Sequence, residues 1–304
     1  MWIQFVTYAS VVIAVAAMLA KAFRYIKAPQ NFRWELYPVP HERGKAEYGG
    51  SYLEELDWWT KPRHSDMFRE LIEMMEEIFF LKGVFRNNRR VWVSSLPFHL
   101  GLYLCIGWLL LLLLGGIFEI AGMSVGAEAG TAGVIVHYLT VVSGYVGLVL
   151  TGLGAFGLFL WRATDVNQKA YNSFADYFNL LFFDAVIAVA LIAHWQADPG
   201  FAVLRGYVHS LVTFSAPVLN SSWLTAEILM VSLMILYIPL TRMSHFVAKY
   251  FLYHSVRWSD EPNFKGGKIE KRLMTLLQQK VSWSAPHIQQ GQPWSEVVKE
   301  MKHE

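Results

Sequence analysis

One cysteine in 304 residues, Cys105, excludes a disulfide within the chain, a thiolate-held iron–sulfur cluster and a four-cysteine zinc ribbon. No C-x-x-C-H stretch occurs, so covalent c-type haem attachment is excluded as well. Any redox cofactor must use histidine or belong to a partner. Charge is also scarce. Asp, Glu, Lys and Arg make up 16% of the chain against 54% hydrophobic residues, too little for an ordinary soluble domain. The net charge of +2 says little beside its distribution, and no nucleic-acid partner is expected. There are no repeats and no low-complexity tracts.

Long apolar runs are what the chain does have. Five of them approach the ~20 residues needed to cross a bilayer. They predict spanning helices at about 2–22, 95–118, 134–160, 175–195 and 222–244. The first has no basic leader and runs straight into Lys21, so it reads as a retained helix and not a cleaved signal. The expected class is an all-α membrane protein.

Basic residues set the expected orientation. Lys21 to Arg90 carries thirteen Lys and Arg, whereas 119–135 carries none. Arg162 and Lys169 lie in the next turn, and Arg205 alone lies in 196–221. The tail from Arg242 holds ten. Five helices bring the three basic segments to one side only if the chain is N-out and C-in. The expected organisation is a first helix at 1–22, a cytoplasmic connection at 23–94, a four-helix core at 95–245 and a cytoplasmic tail at 246–304. In the connection, Ser65 and Asp66 can cap an amphipathic helix that carries Met67, Leu71, Met74, Met75, Ile78 and Phe79 at 3–4 spacing and ends at Gly83. Its expected neighbours are the membrane surface or a partner, with the Arg86 to Arg90 cluster at the lipid headgroups. The tail, with Trp283 and Trp294, is expected to pack on a partner subunit.

Histidines carry the candidate chemistry. His99 opens the second apolar run and His245 closes the fifth. The topology puts both near the cytoplasmic end, at matching depth. Ionisable residues within spans are expensive and mark function. Two imidazoles on facing helices suit the axial positions of a b-type haem iron, which makes the histidines ligands of a metal, haem iron. The alternative is two unrelated interfacial histidines. Arg242, three residues before His245, suits a haem propionate or simply anchors the helix. Asp184, in the middle of the fourth run, and Glu227, one turn into the fifth, are candidates for quinone and proton chemistry; each could instead satisfy a neighbouring helix. His41 and His254 read as interfacial or subunit-contact residues. The string Gly152-x-Gly154-x-x-Gly157 lacks a preceding strand and is no dinucleotide site. With Gly144 and Gly147 it reads as a stripe for close helix packing or for a haem face.

The runs Phe98-His99-Leu-Gly-Leu-Tyr-Leu-Cys-Ile-Gly107 and Pro239-Leu-Thr-Arg-Met-Ser-His245 resemble the second and fifth helices of the cytochrome b (gamma) subunit of respiratory nitrate reductase. Gly152-Leu-Gly-Ala-Phe-Gly-Leu-Phe-Leu-Trp-Arg162 is similar to the same family, and the likeness spans about 95–250. Trp34-Glu-Leu-Tyr-Pro-Val-Pro-His41, Lys249-Tyr-Phe-Leu-Tyr-His254-Ser-Val-Arg-Trp258 and Trp283-Ser-Ala-Pro-His287 resemble a narrower branch. It comprises the membrane cytochromes of sulfite-reductase-linked and tetrahaem-cytochrome-c3-linked complexes. The resemblance implies haem b on His99 and His245. It also implies electron exchange with menaquinone in the inner membrane. The implied partners are a cytoplasmic iron–sulfur subunit like the catalytic subunit of heterodisulfide reductase, and a periplasmic cytochrome c. The family's second haem pair falls at Leu109 and Glu227, neither of which is a normal ligand. A second haem is therefore absent or held differently, with His137, His194 and His209, all near the outer end, as the substitutes. The competing functions are a haem-free membrane anchor of a redox complex and a transporter. Against the transporter, the chain lacks inverted repeats and a polar midplane cluster. Whether the chain is itself an enzyme depends on its complex.

Overall fold

The structure is a computed structural model that describes residues 1–28, 44, 54–62, 66–258, 263–286 and 288–299. Trp34 to His41, Ser65 and His287, used above, lie outside the described residues. Among the described residues regular structure is helical, apart from two isolated bridges, Lys280 with Pro293 and Ala285 with Ile288. The helices are α1 (Trp2–Lys27), α2 (Met67–Phe80), α3 (Lys82–Asn87), α4 (Arg89–Ile120), α5 (Thr131–Thr164) and α6 (Val166–Tyr171). They continue with α7 (Phe174–Ala197), α8 (Ala202–Thr213), α9 (Ser222–Tyr237), α10 (His245–Leu252), α11 (Lys268–Leu277) and α12 (Trp294–Val297). Five are long and apolar enough to cross a membrane: α1, α4, α5, α7 and α9 with its turn to Leu240. Among the described residues the protein is all-α and multi-pass, with five spanning helices, as its apolar runs predict.

Helix ends follow local chemistry and not hydropathy. α4 starts at Arg89, before the apolar run, because the Asn88 side chain accepts from the Val91 amide at 3.2 Å. It continues through Pro97, which lacks one ladder donor. α7 is capped by Ser173, whose amide and hydroxyl both donate to the Asp176 carboxylate, at 2.8 and 2.7 Å. α2 ends at Phe80, three residues before the expected stop. Leu81 takes a left-handed conformation (φ 49°) with its side chain buried, and Gly83 lies inside α3. Glu77 accepts from the Gly83 amide at 2.8 Å. A Cβ at Gly83 would lie 3.3 Å from that carboxylate, so glycine permits the cap. The fifth span is the largest correction. Expected to reach 244, α9 stops at Tyr237, because Pro239 cannot donate to the helical ladder. Two short 3₁₀ turns follow, and His245 starts α10 instead of ending a spanning helix.

The chain forms two compact units. One comprises Met1–Val15 and Met74–Leu240. In it α4 and α5 run antiparallel on a seam of small residues. A Cβ added at Gly101 would lie 2.4 Å from the Thr151 amide nitrogen, and one at Gly154 2.4 Å from that of Phe98. Gly157 meets Ser94, Gly147 meets Cys105 and Gly144 meets Trp108 in the same descending order. The glycine stripe thus serves helix packing. α5 and α7 are tied by Arg162, which donates to the Asp176 carbonyl at 2.9 Å, and by Leu148 against Ile187 and Ala190. α7 and α9 are tied by Tyr237, which donates to Asn179 at 2.9 Å. The start of α1 joins through polar contacts: Gln4 donates to the Ser215 carbonyl at 2.8 Å, and Thr7 lies 2.7 Å from the Tyr207 hydroxyl.

The second unit comprises Ala16–Glu73 and Thr241–Glu304. Lys21 donates to the Thr241 carbonyl at 3.1 Å and to the Ser244 hydroxyl. Tyr25 packs on Phe251 with ring centroids 5.6 Å apart. Val281, Ile288 and Val297 form a small core with Ala285 and Trp294.

Candidate functional site

The antiparallel seams fix depth in the first unit. His99 lies near the end where α4 begins and α5 finishes. Trp108, Gly144, His194 and Glu227 lie toward the opposite end, where α7 finishes and α9 begins.

At the first end, Ser95 sits one turn before His99. Its carbonyl lies 2.7 Å from His99 Nδ1, and its hydroxyl 3.3 Å from the same atom. A carbonyl can only accept, so Nδ1 carries the proton and Nε2 is the basic nitrogen of the neutral ring. Histidines that ligate metals are held this way, with one nitrogen donating to a fixed acceptor. The ring is half-buried, edge-on to Phe98, which in turn packs edge-on against Phe183 at 5.2 Å. In the second unit His245 is exposed, and its Nδ1 lies 3.3 Å from the Arg242 carbonyl. Arg242 belongs to the 3₁₀ turn before α10, in which side chains three residues apart lie on one side. His254 makes the same contact with the Tyr250 carbonyl at 2.9 Å, inside a π-helical turn, with Tyr250 and Trp258 against its ring.

The opposite end holds a cluster whose pairing the sequence does not reveal. His194 and Glu227 are fully buried, with His194 Nε2 2.9 Å from Glu227 Oε1. His194 Nδ1 lies 3.1 Å from the Asp198 carbonyl. Both ring nitrogens are thus engaged. Phe201 covers the ring at a centroid distance of 4.2 Å, and Trp108 meets it edge-on at 5.8 Å. Asp198 is itself buried. Its two oxygens accept from the Val203 and Leu204 amides, at 3.0 and 2.9 Å, and so fix the first turn of α8. Glu227 Oε2 and Trp108 Nε1 are buried without a hydrogen-bond partner. On the next turn, buried Arg205 donates to Glu119 at 2.7 Å and to the Val125 carbonyl at 2.9 Å.

The other expected residues scatter. His137 is half-buried, and its Nδ1 has no partner. His209 lines an open pocket of about 420 Å³ with Ser210, Ser215 and Asn220. Leu109 is 40% exposed, so position 109 faces the surroundings of the bundle. Asp184 is half-buried in the middle of α7, and its Oδ2 has no partner. Among the described residues no three His, Cys, Asp or Glu side chains converge to hold a metal; a bis-histidine iron requires two.

Comparison with known proteins finds no matching family model, no similar curated protein and no similar solved structure. The site therefore rests on its own chemistry. Trp108, Asp198, Phe201 and the Arg205–Glu119 pair carry no motif in the sequence. Arg205 was the only basic residue in its segment, and that isolation was the available signal.

Proposed function

We propose that the chain is the b-type haem subunit of a membrane redox complex, with His99 and His245 as axial ligands. In this reading it carries electrons between menaquinone and the iron–sulfur centres of a cytoplasmic partner, across the inner (cytoplasmic) membrane. The observation that carries the reading is the common state of the two imidazoles. Each has Nδ1 turned to a backbone carbonyl of its own local helix, at 2.7 and 3.3 Å, the orientation in which metal-ligating histidines are held. The donor set of two imidazoles fits a low-spin haem. Chain connectivity supports it too. Four antiparallel crossings from α4 to α9 return the chain to the end where α4 began, and His245 follows Leu240 by five residues.

Haem, when bound, supplies one-electron transfer at the iron. The chain's residues supply the rest. Ser95 and the Arg242 carbonyl hold the two rings in the ligating orientation, and the apolar packing of Phe98 and Phe183 limits water beside His99. Arg242 provides the cationic group for a haem carboxylate. Asp184 is the candidate for moving a proton within the span.

The test is a dithionite-reduced minus oxidised spectrum of the purified, haem-supplied protein. A b-type α-band is expected, and His99→Ala and His245→Ala each abolish it. A flat spectrum from the unmodified chain refutes the haem and favours a haem-free anchor.

A further inference from the structure

We infer that the half of the bundle away from His99 accepts no second haem, so the chain carries one; this rests on the haem reading above. The second ligand pair implied by the resemblance falls at positions 109 and 227. Leu109 faces outward at 40% exposure, so no residue at 109 could ligate an iron inside the bundle. Glu227 is turned to His194 at 2.9 Å.

The substitute ligands fail for separate reasons. His194 has both nitrogens engaged, at 2.9 and 3.1 Å, and lies under the Phe201 ring at 4.2 Å. Ligation would need the buried pair with Glu227 to break and leave that carboxylate alone. His209 lines the open pocket beside α8, where its backbone rests on α4; a Cβ at Gly116 would meet it at 3.4 Å. His137 offers an unpartnered buried nitrogen, but one imidazole does not make a bis-histidine site.

Space is lacking as well as ligands. A planar macrocycle needs a slot open along both faces. Trp108, Leu112, Phe201, Leu204, Tyr207 and Ile228 instead close into one core at this level, each nearly or wholly inaccessible. Arg205 runs across Gly115, where an added Cβ would lie 2.6 Å from its Cδ. The region is filled by a packed ion-pair cluster.

The experiment is haem per polypeptide, by pyridine haemochrome against amino-acid analysis, on the full chain synthesised with excess haem. One haem per chain is expected, with a single potentiometric transition. His194→Ala and His137→Ala should each retain that haem, while His245→Ala loses it. Two haems per chain overturn the inference alone, as does loss of part of the α-band, with the rest retained, on changing His137 or His194. No haem at all overturns the reading on which it rests. The stoichiometry of the unmodified chain decides the matter even if a variant fails to fold.

Discussion

The His194–Glu227 contact has a definite proton content. Nδ1 must donate to the Asp198 carbonyl, so the contact from Nε2 to Oε1 holds one further proton, whether it resides on nitrogen or on oxygen. The pair is neutral in either form, which is how two titratable groups persist with no access to solvent. Removing one partner strands the other. His194→Ala is expected to destabilise the protein by about 3–5 kcal/mol, because it leaves an uncompensated buried acid. Glu227→Gln keeps an amide that can donate to Nε2 and should cost roughly 1–3 kcal/mol. Unfolding midpoints in detergent would rank the two, and equal losses would refute the pair. Each residue was visible in the sequence as an ionisable group in an apolar run, and their shared depth followed from the helix order. That they face each other did not. Facing depends on the rotation of α7 against α9, and apolar runs with no polar side carry little information about rotation.

At the scale of elements, the seam of α4 and α5 is the part of the core most dependent on missing side chains. Dispersion between closely approaching backbones drives such association where lipid is as apolar as the protein. One methyl group separates two outcomes on the same helix. Gly101→Ala would set a Cβ 2.4 Å from the Thr151 amide nitrogen, so the helices must move apart; a loss of about 1–3 kcal/mol is expected. Gly107→Ala meets nothing within 4 Å and should be within about 0.5 kcal/mol of the parent. Thermal unfolding of the two variants in one detergent measures the difference, and similar midpoints would refute the seam. The glycine stripe from 144 to 157 was legible because its spacing is helical. The ends of the elements were not. Hydropathy sees the lipid-facing run, whereas Asn88 starts α4 before it and Pro239 stops α9 inside it. The proline had greater consequence, since it decides that His245 begins a new helix instead of riding on the last span.

At the scale of the whole molecule, the number of crossings was legible because five apolar runs each exceed what a buried soluble helix requires. Orientation is a separate question, and the distribution of charge answers it by expectation alone. The thirteen basic residues between Lys21 and Arg90 and the ten from Arg242 onward should stay on the cytoplasmic side, with the uncharged-to-acidic connection between α4 and α5 outside. The lone cysteine makes this testable. In a Cys105→Ala background, a cysteine at Gly126 lies in that connection, where an added Cβ meets nothing within 4 Å. A cysteine at Lys299 lies in the tail, on a side chain 69% exposed. A membrane-impermeant maleimide applied to intact cells should label Gly126→Cys at once and Lys299→Cys only after permeabilisation. Three spans, α5, α7 and α9, separate the two positions, so labelling of both from outside would contradict the crossing count. The reverse pattern would turn the chain over. His99 would then lie at the outer surface, and electrons reaching it could not pass directly to a cytoplasmic iron–sulfur partner, so the proposed coupling to that partner depends on this result as much as on the ligands.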